Sequence, residues 1–77
     1  MRHEQAAEQT LSHLRSEARS WERTRERAET SLRVLKQRGV DCNPEFTWQV
    51  SELRSTSAEA WRNAETLRAA IVLLETN

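Results

Sequence analysis

The chain has 77 residues, 36% of them hydrophobic and 31% charged, and its 12 basic and 12 acidic side chains leave no formal net charge. That length holds one small domain, and a neutral chain lacks the overall pull toward nucleic acid or anionic membrane that a strongly basic one has. With one glycine and one cysteine, it can build neither a glycine-rich phosphate loop nor an intrachain disulfide.

Tyrosine is absent and phenylalanine occurs once. Ala, Leu, Arg, Glu and Gln dominate instead, the residues that lose least on entering a helix, so the composition predicts an all-α protein. The chain opens on Met1, Arg2, His3 and Glu4 with no apolar stretch behind them, which predicts a cytoplasmic protein without a signal peptide.

A first helix is predicted over about residues 4–38. Small or apolar residues fall at Ala7, Leu11, Leu14, Ala18, Trp21, Ala28, Leu32 and Leu35. With Arg25 as the single polar interruption, the steps alternate four and three without a slip. A repeat averaging 3.5 residues is the pattern of a coiled-coil seam. Residues 15–38 carry eight basic groups against four acidic ones. Arg19, Arg23 and Arg27 follow at four-residue steps on the outer side, a row that could track a phosphate backbone. Glu22, Glu26 and Glu29 interleave with it, and Arg25–Glu29 and Glu29–Arg33 have ordinary helical ion-pair spacing. A solvated, charge-laced face is therefore the preferred account of this stretch, and nucleic-acid binding by a homodimeric bundle is the alternative.

Residues 39–43 read as a loop. Gly39 suits the left-handed position just past a helix end, with Val40 folding back toward Leu35. Asn43 and Pro44 read as N-cap and first helical residue, because Asn can accept from a free amide of the first turn and Pro has no amide to leave unsatisfied. Glu45 follows where the helix dipole favours negative charge. Cys42 sits in this loop as a plain thiol.

A second helix is predicted over about residues 44–75. Phe46, Val50, Leu53, Ser57, Ala60, Ala64, Leu67, Ile71 and Leu74 repeat the four-three alternation with Ser57 as the interruption. If the two helices fold back on each other, Leu35 faces Phe46, Leu32 faces Val50, Ala28 faces Leu53, and so on to Ala7 facing Leu74. The residue numbers of every facing pair add to 81 or 82, and the two polar interruptions, Arg25 and Ser57, meet in one layer. The predicted fold is a long antiparallel two-helix coiled-coil hairpin that associates into a four-helix bundle or with a partner protein. Residues 44–77 carry three arginines against five glutamates, which favours pairing this half against the basic first half.

Apolar residues left off the seam are the candidate partner-binding set: Val34, Trp48, Trp61, Ala69, Val72 and Leu73. Trp48 falls opposite the seam, and residues 69–74 are apolar nearly all round, so another helix is expected to pack there. Six apolar residues are far too few to span a membrane. No cofactor is predicted. His13 and Glu17 have helical spacing but are too few ligands for zinc, His3 lies far away, and no nucleophile sits beside a base, so the chain reads as no enzyme.

Arg38, Gly39 and Asp41, followed by the Trp48-Gln49 pair and the residues 68–74 (RAAIVLL), carry a resemblance over the second half of the chain. It resembles the small helical-hairpin co-chaperones of bacterial type III secretion systems, which help keep needle subunits soluble in the cytoplasm. The resemblance implies a complex with a helical-repeat chaperone and a needle protein through the outer apolar face. A phage- or plasmid-encoded inhibitor of a host protein is a further alternative.

Overall fold

A computed structural model describes residues 2–76, with side chains from residue 7 onward. Helix α1 runs from Arg2 to Gln37 and helix α2 from Thr47 to Thr76. They pack against each other as an antiparallel hairpin, and no strand occurs among the described residues. The fold is all-α.

α1 ends at the glycine. Gly39 has φ +70°, where a Cβ would crowd the following carbonyl. Its amide donates to the Lys36 carbonyl at 3.0 Å and the Val40 amide donates to the Leu35 carbonyl at 3.1 Å. These two bonds form a Schellman cap, and Val40 is half-buried beside them. The chain re-enters helix at Asn43, whose side-chain oxygen accepts from the Glu45 amide at 3.0 Å. Pro44 follows as expected, but the first turn, Pro44–Phe46, is a 3-10 turn and the α-helix proper begins at Thr47. The Phe46 amide reaches the Asn43 carbonyl three residues back at 2.9 Å, the tighter winding common at helix starts.

Among the described residues the buried side chains are Ala18, Ala28, Val50, Ala60 and Ala64, and all belong to the two alternating series. The other seam residues are half-buried, except Ala7 and Leu74, the layer farthest from the loop, which are exposed. Small grooves along the hairpin are lined jointly by Leu32 and Val50, by Ala28 and Leu53, and by Arg25 and Ser57. With alanine filling most of the buried positions, the two backbones lie close, and among the described residues no large side chain is fully buried. The molecule is a rod, 58 × 15 × 13 Å between Cα extremes.

Two ion pairs bind one flank. Arg15 donates to Glu75 at 2.6 Å, and Arg68 pairs with Glu22. Their residue numbers add to 90 in both cases, eight more than the seam layers, an axial offset of about 12 Å. Helical side chains lean toward their own N-terminus. In an antiparallel pair that lean carries both members of such a couple toward each other, so the offset is closed by the side chains themselves.

Candidate protein-interaction surface

The six candidate partner-binding residues are all exposed. Trp48 is 70% exposed on the side of α2 turned away from α1, in its first turn, and Leu73 is 66% exposed near the other end. Val72, at 57%, flanks Leu73, and Ala69 lies one turn before them. Counted along the helix, Trp48 and Leu73 are separated by about 37 Å, so the outer face of α2 carries an apolar patch at each end rather than one continuous stripe. Between them stand Glu52, Ser55, Glu59, Arg62 and Thr66, all exposed. Leu74 was expected in the seam, yet it is 39% exposed and enlarges the C-terminal patch. The reason is that its partner layer, at Ala7, offers only a methyl group to cover it.

Trp61 does not join these patches. It lies at the flank of the seam, 47% exposed, over a groove of about 570 Å³ that it shares with Arg25, Leu32, Ser57 and Arg62. The groove opens at the polar layer, because Ser57 and Ala58 are too short to fill the space beneath the indole. Val34 is exposed on α1 near the loop. The structure therefore brings Ala69, Val72 and Leu73 together, and leaves Trp48, Trp61 and Val34 at separate places.

The polar layer is half-buried rather than sealed. Arg25 bends along its own helix and its Nε donates to Glu29 Oε1 at 2.9 Å, so its charge is satisfied at the groove edge. Of the two acids placed near it in sequence, Glu29 takes this role and Glu22 goes to Arg68.

The arginine row is solvent-facing. Arg19 Nε donates to the carbonyl of Arg15 one turn earlier, while Arg23 and Arg27 border a shallow depression with Glu26 between them. His13 lies 3.3 Å from Glu17 on an exposed face. His3 belongs to the segment whose side chains are outside the described residues. Among the described residues no three metal-binding side chains come together, and no helix is long and apolar enough to cross a membrane. Cys42 is exposed and free of any disulfide.

A scan against protein-family models finds no match to the chain, and comparisons with curated proteins and with solved structures find none either.

Proposed function

We propose that this chain is a non-enzymatic protein-protein interaction module, a rigid hairpin that presents the outer face of α2 to a partner. The observation that carries the reading is Trp48: an indole left 70% exposed, on the side of its helix that its own hairpin cannot cover. Tryptophan offers a large apolar face with few rotatable bonds, and it is over-represented among the residues that dominate interface energy. The resemblance in the second half of the chain supports a narrower form of the reading, a cytoplasmic co-chaperone of a secretion system.

The experiment is to make Trp48→Ala and Leu73→Asp and compare them with the parent chain in pull-downs and in sedimentation. Both substitutions fall on exposed positions, so the hairpin itself remains folded. The expected outcome is loss of association by about ten-fold or more, the effect of truncating an interface anchor. Unchanged partners together with an unchanged oligomeric state would overturn the reading.

The nucleic-acid alternative rests on the row Arg19, Arg23 and Arg27, none of which makes an ion pair among the described residues. It has weaker support, since Glu26 stands between them and the chain as a whole is neutral.

A further inference from the structure

The outer face of α2 contains a second alternating series, formed by residues none of which the hairpin buries. Trp48, Glu52, Ser55, Glu59, Arg62, Thr66, Ala69 and Leu73 follow at steps of four and three, and every one is exposed. Such a series forms a straight stripe along a helix and can pack against another helix. Its composition is asymmetric in a particular way. The bulky anchors sit at the ends, and small or charged residues occupy the middle.

We propose that this stripe is the interface of a homodimer, in which the α2 helices of two copies lie antiparallel across a two-fold axis near residue 60. An isologous contact requires a surface complementary to itself, and this one is. Reversing the stripe on itself places Trp48 of each copy against Leu73 of the other, Glu52 against Ala69, Ser55 against Thr66, and Glu59 against Arg62. The residue numbers of all four pairs add to 121. Each copy's Trp48 thus covers the distant C-terminal patch of its partner, and each central arginine meets a glutamate. Neither Glu59 nor Arg62 makes an ion pair within the hairpin among the described residues, although they lie three residues apart.

Two whole-molecule facts agree with this occupant. The chain has no net charge, so a second copy meets no overall repulsion. Its accessible surface is 6312 Å², whereas a compact monomer of its mass would expose about 4,850 Å². The excess, about 1,500 Å² per copy, is more than the roughly 800 Å² that each partner contributes to a specific interface of standard size. Two hairpins joined through α2 make a four-helix assembly with α1 on the outside of each.

The inference rests on the interaction-module reading and narrows its partner to the chain itself. Its test is charge reversal with rescue, read as the dimer dissociation constant by sedimentation equilibrium. Glu59→Arg or Arg62→Glu alone places like charges across the axis and weakens the dimer by about ten-fold or more. The double variant Glu59→Arg/Arg62→Glu restores the pairing and recovers affinity to within about three-fold of the parent. Independently, Ser55→Cys/Thr66→Cys in a Cys42→Ser background, treated with an oxidant, gives a crosslinked dimer. Within one helix these positions are about 16 Å apart, too far for a disulfide. A chain that is monomeric at its highest soluble concentration overturns the homodimer. So do single reversals without effect, or a double variant that fails to recover. If the monomeric chain still captured a different protein through Trp48, the homodimer alone would fall and the interaction module would stand.

Discussion

Arg25 occupies a seam position that its neighbours in the series fill with Trp, Ala and Leu, and it survives there because the groove at its side lets its charged end reach Glu29 at 2.9 Å. Both partners of that pair keep about two-fifths of their side-chain surface in water, so the pair contributes at most about 1 kcal/mol. Replacing Arg25 with Leu places an aliphatic side chain in the layer opposite Ser57 and leaves Glu29 solvated, with no charge stranded. Arg25→Leu is therefore expected to stabilise the hairpin by about 1 kcal/mol, a rise in melting temperature of about 4–8 °C. A drop in melting temperature would show that the Arg25–Glu29 pair matters more than its exposure allows. The same variant is expected to associate less selectively, since a polar layer fixes register. The position of this layer was legible in the sequence, because Arg25 and Ser57 break two otherwise apolar series at matching places. The choice of Glu29 over Glu22 was not, since both lie within reach of Arg25 and only the competing claim of Arg68 on Glu22 decides it.

The two helices owe their ends to single residues. Beyond its own chain neighbours, Gly39 at φ +70° has open space where a Cβ would stand, so a substitution there adds no tertiary clash, only the local crowding of left-handed backbone. Gly39→Ala is expected to destabilise the hairpin by about 1–2 kcal/mol without altering its fold, measurable as a shift in the urea midpoint at constant slope. A change in slope instead would mean that the helix end had been rebuilt. This cap could be read from the sequence, since the chain's one glycine stands just where the apolar series lapses. The 3-10 winding of Pro44–Phe46 could not, because an Asn-Pro-Glu start is equally compatible with an α-turn. The flank pairing of Arg15 with Glu75 and Glu22 with Arg68 was likewise hidden. Facing layers tell which backbones are level, whereas these pairs join residues two helical turns out of level through the lean of long side chains. Trp48 and Leu73 could be placed on the outer face from their spacing alone. Their places near its two ends follow from the same count, a relation that acquires meaning when the stripe is laid against its own reverse.

At the scale of the whole chain, the hairpin has a radius of gyration of 17.2 Å, where a compact domain of its length would have about 11.5 Å. Stability is spread along the rod rather than gathered at a centre. Among the described residues the buried side chains lie between Ala18 and Ala28 on α1 and between Val50 and Ala64 on α2, and the layer at Ala7 and Leu74 is open. Amide hydrogen exchange is expected to be slowest around Ala18–Ala28 and Ala60–Ala64 and to quicken toward the open end, where a helix gains least from tertiary packing. Uniform protection along both helices would indicate that the open end is covered in solution. The rod shape also governs how the protein moves through water. A particle of 58 × 15 × 13 Å drags more solvent than a sphere of equal mass, so by gel filtration a single copy elutes ahead of its true mass and imitates a pair. Joining two copies side by side along α2 doubles the mass while adding girth and almost no length, so the frictional ratio falls as the assembly forms. Pairing of this protein is thus registered by light scattering or sedimentation, as a mass that doubles while the elution volume barely shifts.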